Sequence, residues 1–96
     1  MLVLVTYDVD TTTLEGQRRL RRVAKECMSY GQRVQNSVFE CVVDFTQFTQ
    51  LKINLENIIS EEQDSVRFYH LGKNYESKVE TIGIKQGLNL QEELIL

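Results

Sequence analysis

Two aspartates follow the first apolar segment of the chain. In VTYDVD, residues 5–10, Asp8 and Asp10 stand two positions apart. In an extended chain this spacing puts both carboxylates on one face. Carboxylate oxygens suit Mg²⁺ or Mn²⁺, and magnesium usually takes one or two carboxylates together with water and substrate phosphate. The alternative for Asp10 is that it forms a turn or caps the helix that follows.

Basic residues are concentrated in one short segment, which contains Arg18, Arg19, Arg21, Arg22 and Lys25. The formal net charge is −3, yet residues 1–43 carry one more base than acids and residues 44–96 carry four more acids than bases. The overall charge argues against a generally basic nucleic-acid-binding protein. The arginine cluster could nevertheless bind phosphates through charge-assisted, bidentate contacts. An ordinary solvated helix face is the alternative.

Other polar and aromatic side chains allow two interpretations each. Tyr7 and Phe39 could stack on nucleic-acid bases or pack in a core or dimer contact. Ser37 has no visible base partner, so a hydrolase triad is not predicted, and its hydroxyl is expected to satisfy backbone groups at a bend. His70 is expected to be packed rather than catalytic, because it alternates onto the strand face of Val66 and Phe68.

The two cysteines, Cys27 and Cys41, have neither CxxC spacing nor a nearby histidine. We therefore expect buried, reduced thiols rather than a disulfide or a metal site.

Hydrophobic periodicity and turn signals predict six core elements. Residues 2–7 are apolar and β-branched, which is typical of a central strand. TTLE at 12–15 matches a capping box that starts a helix, and Gly31 is expected to end that helix. The helix has an apolar stripe of Leu20, Val23, Ala24, Cys27 and Met28. Asn36 and Ser37 predict a bend or tight hairpin between the second and third strands, within the segment 32–44. Then follow a strand at 38–43, a helix at about 46–60, a solvated loop at 60–64 and a strand at 65–71.

This β-α-β-β-α-β order predicts an α+β fold, a ferredoxin-like sandwich with two helices on one face of an antiparallel sheet. A short segment at 78–84 could add a C-terminal strand. We therefore divide the chain into a ferredoxin-like core, residues 1–72, and a C-terminal strand and tail, residues 73–96. The second sheet face is expected to be apolar and uncovered. That favours a two-fold homodimer locked by residues 73–96.

Length and composition predict a single domain in the cytoplasm. Ninety-six residues allow one modest core, and a hydrophobic fraction of 42% fits a globular chain. The apolar run at 2–5 is far too short to span a membrane and lacks the flanks of a signal peptide. No membrane partner is expected.

Four segments together resemble the Cas Two family of CRISPR-associated proteins. They are VTYD at the end of strand one, RRLRRVAK on helix one, GQRVQNSVFEC across the middle strands and DSVRFYHL on the last core strand. These segments are spread over residues 1–72, and they follow the order and spacing of the family. Two positions depart from the pattern, Asn36 where the family often has an aromatic residue and Cys41 where it often has glycine.

The resemblance implies a ferredoxin-like homodimer with metal-dependent endonuclease activity on single-stranded RNA or double-stranded DNA. It also implies a partnership with the Cas One integrase, in which the dimer bridges integrase units and supports the captured DNA duplex. A non-catalytic adaptor in spacer acquisition is therefore the alternative function. A small-molecule regulatory domain of similar fold is a third interpretation, but no ligand-binding loop is evident.

By position, the resemblance makes Asp8 the catalytic and metal-binding residue. Arg22, Arg33 and the SVF segment also match family positions. Together with the basic cluster, this predicts six nucleic-acid-binding residues, Tyr7, Arg18, Arg19, Arg22, Arg33 and Phe39. If the first strands approach the two-fold axis of a dimer, two copies of Asp8 could share one Mg²⁺ or Mn²⁺ ion.

Overall fold

A computed structural model describes residues 1–72. The elements are β1 (Leu2–Asp8), α1 (Leu14–Met28), β2 (Gly31–Gln35), β3 (Val38–Val42), α2 (Phe45–Ile58) and β4 (Ser65–His70). The sheet order is β2-β3-β1-β4, and every neighbouring pair is antiparallel. This confirms the predicted ferredoxin-like α+β fold. The possible strand at 78–84 and the proposed dimer-locking segment 73–96 lie outside the described residues.

Both helices pack on the same face of the sheet. Val3, Val5 and Tyr7 of β1 point to that face, and so does Phe39 of β3. They meet the apolar stripe of α1 and the buried residues Leu51 and Leu55 of α2. None of the helices in residues 1–72 has the length and hydropathy needed to cross a bilayer.

The two cysteines lie in this core as free thiols. Burial raises the pKa of Cys27 to about 12 and that of Cys41 to about 11, so both stay protonated at neutral pH. The prediction of buried, reduced thiols is confirmed.

The opposite face of the sheet is called here the open face, since neither α1 nor α2 covers it. Leu4 and Val38 are nonetheless buried there, packed against Val34, Tyr69 and Leu71. Val42, at the end of β3, is 60% exposed. The expectation of a wholly uncovered apolar face was therefore too broad, because the centre of that face is already buried.

Helix α1 begins one residue later than the TTLE motif predicts. Thr13 is the N-cap, and its hydroxyl accepts a hydrogen bond from the Gly16 N–H. Thr12 instead donates its N–H and hydroxyl to the Asp10 carboxylate. The predicted box between Thr12 and Glu15 is therefore not formed. In α2, Asp44 and Gln47 do form a capping box.

Gly31 does not end α1, contrary to the sequence prediction. The helix closes at Ser29 in ordinary right-handed geometry, and Gly31 is the first residue of β2. A side chain at Gly31 would overlap the Glu40 carbonyl oxygen and the Cys41 sulfur. Glycine is required there for close approach to β3, not for its backbone freedom. The predicted turn at Asn36 and Ser37 is confirmed as the two-residue connection between β2 and β3.

Candidate functional site

Asp8 ends β1 on the open face of the sheet, where it pairs with Ser65 of β4. Its side chain is exposed. The β2–β3 turn comes close because the Tyr7 N–H donates to the Ser37 carbonyl at 3.1 Å. These elements enclose a groove of about 410 Å³, lined by Thr6, Tyr7, Asp8, Ser37, Val38, Ser65, Arg67 and Tyr69. Oxygen-bearing side chains from three strand ends therefore meet around one carboxylate.

This donor set fits part of a magnesium site. Carboxylate and hydroxyl oxygens are hard ligands, and magnesium is commonly held by one or two carboxylates with water and phosphate completing the shell. Within residues 1–72 no group of three histidine, cysteine or acidic side chains is placed to hold a metal ion. Asp8 thus offers one carboxylate, and the other ligands of such a site would come from outside this set of described residues, for example from water, substrate or a second chain.

Asp10 has a different environment, although it lies only two residues further on. Its carboxylate accepts hydrogen bonds from the Thr12 hydroxyl at 2.7 Å and the Thr12 N–H at 2.9 Å. These bonds lower the pKa of Asp10. Asp10 is therefore a turn former, the alternative that the sequence left open, while Thr13 supplies the helix cap.

Asp64 is a buried carboxylate that the sequence did not reveal, because residues 60–64 were predicted to be a solvated loop. It accepts hydrogen bonds from Arg19 Nε at 2.8 Å, the Ser60 N–H at 2.9 Å and the Asp10 N–H at 3.0 Å. Burial acts to raise the pKa of Asp64, but these bonds outweigh it and the pKa is lowered. Through the Asp10 N–H, Asp64 anchors the backbone two residues after Asp8.

Arg19 and Arg33 do not contribute to the groove around Asp8. Arg19 is bonded to Asp64 and also to the Gln63 side chain at 2.9 Å. Arg33 pairs with Phe39 across the sheet, and its guanidinium lies 5.2 Å from the centre of the Phe39 ring. Since Phe39 faces the helices, Arg33 lies on the opposite face from Asp8. Arg19 is a structural residue here, contrary to its predicted role as a phosphate ligand.

Tyr7 and Phe39 are core residues. Phe39 is 0% exposed and Tyr7 is 6% exposed, with their ring centres 6.2 Å apart. The Tyr7 hydroxyl donates to the Asn36 carbonyl at 3.2 Å, and burial raises the pKa of Tyr7. A ring must be accessible to stack on a base, so the structure supports packing rather than the predicted stacking.

The remaining basic residues of α1 form an exposed stripe. Their spacing places them on the helix face that points away from the sheet, and the set consists of Arg18, Arg21, Arg22 and Lys25. The stripe and Asp8 therefore lie on opposite sides of the sheet. His70 also lies on the helix side, where its ring packs edge-on against Phe48 with centres 4.9 Å apart. His70 as a whole is exposed, so the predicted packing is limited to this contact.

The fold is that of small CRISPR-associated proteins: the family model for CRISPR associated protein Cas2 matches residues 1–79. The chain belongs to the Cas2 family, the Cas Two family of the sequence analysis. This membership supports a role in CRISPR adaptation.

The similarity to individual relatives extends over the whole chain. A protein of Halalkalibacterium halodurans named CRISPR-associated endonuclease Cas2 is 60% identical over 95 residues, 99% of each chain. CRISPR-associated endoribonuclease Cas2 of Chlorobaculum tepidum is 55% identical over 96 residues, 100% of each chain. The crystal structure of Streptococcus pyogenes Cas2 has a TM-score of 0.77 at 60% identity and covers 86% of this chain and 100% of its own.

Proposed function

We propose that this protein is a homodimeric, magnesium- or manganese-dependent endonuclease of spacer acquisition that cleaves single-stranded RNA or double-stranded DNA. The observation that carries the proposal is the placement of Asp8. It is an exposed carboxylate at the end of the central strand, in a groove with the Ser37 and Ser65 side chains. The names of its relatives, endonuclease and endoribonuclease, support the same activity.

The dimer follows from the incompleteness of the site in one chain. Among the described residues that line the groove, Asp8 is the one acid. Asp8 lies on the open face, the face through which a second chain can approach without displacing a helix. Exposed Val42 adds apolar surface to that face. A two-fold contact there brings a second Asp8 toward the first.

Three groove residues, Asp8, Ser37 and Ser65, have chemical tasks in this proposal. Asp8 would hold the ion, which when bound supplies charge neutralisation at the phosphate and activation of a water molecule. The hydroxyls of Ser37 and Ser65 can donate hydrogen bonds to phosphate oxygens. Asp64 holds the chain just after Asp8 through the Asp10 backbone N–H, so that the segment carrying the Asp8 carboxylate does not have to be ordered during the reaction.

Metal removal tests the proposal. Cleavage of labelled single-stranded RNA and double-stranded DNA is expected to stop in excess EDTA and to return with added Mg²⁺ or Mn²⁺. Among the described residues of the groove the cationic side chain is Arg67, and a guanidinium cannot replace the ion at Asp8 because it does not activate water. Gel analysis of the products, with protein purified in parallel, measures this. Undiminished cleavage by rigorously metal-free protein would contradict the proposal.

The second candidate function is a non-catalytic adaptor that binds a DNA duplex and bridges the Cas One integrase. The basic stripe of α1 favours it, because this surface is exposed and lies on the opposite side of the sheet from Asp8. A duplex bound there would be held by phosphate contacts alone, without base readout. The two functions are compatible, since they use different surfaces.

Neutralising the stripe tests the adaptor function. The double variant R18Q/R22Q is expected to bind duplex DNA at least about tenfold more weakly at low salt. Its log–log salt slope should be shallower by about 1.8, which corresponds to two lost phosphate contacts. The variant K52Q, an exposed cation on α2, is the control and should leave the slope unchanged. Anisotropy titrations at several salt concentrations, with pull-down of the integrase, measure these effects, and an unaltered slope in R18Q/R22Q would rule out the stripe as the duplex-binding surface.

A further inference from the structure

Arg67 of β4 lies beside Asp8 on the open face. The register between β1 and β4 pairs Thr6 with Arg67 and Asp8 with Ser65. Directly paired residues of antiparallel strands point to the same face, so Asp8 and Arg67 are diagonal neighbours. The Cα atoms of such diagonal neighbours are about 7–8 Å apart. Both side chains line the same groove.

The guanidinium of Arg67 is accessible in this groove. The Arg67 side chain is exposed. The salt bridge within residues 1–72 joins Arg19 to Asp64 and does not involve Arg67. Arg33 is on the other face, over Phe39. The sequence did not predict this role, because Arg67 stands alone in an alternating strand and belongs neither to the basic cluster of α1 nor to the family positions that singled out Arg33.

We propose that Arg67 is a substrate-binding residue that holds a nucleic-acid phosphate against Asp8. The planar guanidinium fork matches two phosphate oxygens, and a separation of about 7–8 Å between the two residues leaves room for one phosphate group. Ser37 and Ser65 line the same groove and can donate further hydrogen bonds. This deepens the proposed function of Asp8 and rests on it for the reaction, but the binding event itself requires no metal.

The binding role predicts a measurable loss without any catalysis. In excess EDTA, R67Q is expected to bind short oligonucleotides about tenfold more weakly than wild type, with a salt slope shallower by about 0.7–0.9. R67K should recover part of the affinity, because lysine keeps the charge and loses the fork. K52Q makes the same change in charge on the helix side and should match wild type. Anisotropy with matched single-stranded RNA and double-stranded DNA probes shows which strand type the groove accepts.

The outcomes separate this inference from the nuclease proposal. Loss of binding in R67Q, together with no cleavage by wild type under any metal condition, would support Arg67 and reject the nuclease. Equal affinities and slopes for wild type and R67Q would overturn the Arg67 proposal, whatever the cleavage result. Failure of wild type to bind either probe would overturn it as well. Melting curves confirm that the exposed Arg67 variants remain folded.

Discussion

Replacement of Asp8 by asparagine is expected to lower cleavage roughly 100-fold or more while leaving the fold intact. Asparagine has nearly the same shape but no negative charge, so the affinity for a divalent cation is lost. Asp8 is exposed and makes no hydrogen bond to a side chain in residues 1–72, so the change removes little packing. Initial rates of cleavage at saturating Mg²⁺ or Mn²⁺, with a melting curve for each variant, measure the effect.

The matched control is D10N. Asp10 also carries a carboxylate in the same segment, but that carboxylate already accepts two hydrogen bonds from Thr12. D10N is therefore expected to keep metal-dependent cleavage within a few-fold of wild type. Equal losses in D8N and D10N would show a general disturbance of the segment, and retained cleavage in D8N would reject Asp8 as the metal-binding residue.

Mixing wild-type protein with the D8N variant tests whether the site is shared between chains. If two copies of Asp8 hold one ion, subunit exchange with excess D8N creates mixed dimers with a single carboxylate. Wild-type activity should then fall further than simple dilution predicts. A strictly proportional fall would show that each chain works alone.

Replacement of Asp64 by asparagine is expected to give the largest loss of stability among single polar changes in the core domain. An asparagine at this position keeps one oxygen, but its NH₂ group cannot accept the bonds from Arg19 and the Ser60 N–H. Buried donors are then left without partners, and the guanidinium loses its counter-charge. We expect a loss of about 2–3 kcal/mol at pH 7, or about 10–20 °C in Tm for a domain of this size.

The pH dependence of that loss identifies the carboxylate as its source. The pKa of Asp64 is lowered below the ordinary 3.8 of an unfolded aspartate. Its contribution is therefore fully present above about pH 3.8 and disappears as the pH falls through the lower folded value. The gap between wild type and D64N should be constant from pH 5 to 7 and narrow below pH 4. Urea denaturation across this range measures it.

E62Q is the control for Asp64. Glu62 lies in the same α2–β4 loop and is exposed, so its loss should cost almost nothing. A D64N protein as stable as E62Q at pH 7 would show that the hydrogen bonds to Asp64 contribute no net stability. Reduced cleavage in D64N with unchanged oligonucleotide binding would support its role in anchoring the segment after Asp8.

Local signals predicted most of the secondary structure. The β-branched run at the N-terminus, the apolar stripe of α1 and the turn at Asn36 and Ser37 all depend on near neighbours along the chain. The strand and the turn were confirmed, and so was the stripe except for Met28, which is 56% exposed. The order of strands and helices then restricts the topology strongly. With short connections between them, there are few arrangements in which every strand and helix buries its apolar face. The errors were at element ends: Thr13 and not Thr12 caps α1, and Gly31 begins β2 and does not end α1.

The candidate site divides in the same way. The resemblance of the sequence to the Cas Two family singled out Asp8 and not Asp10 as the metal-binding residue, which stays a prediction, whereas residue type and spacing located the basic stripe of α1. Only the tertiary structure showed that Tyr7 and Phe39 are buried, that Arg19 neutralises Asp64, and that Arg67 lies next to Asp8. These facts depend on contacts between residues far apart in the chain and on strand register, such as the pairing of Thr6 with Arg67. A one-residue shift in register would move each side chain to the other face.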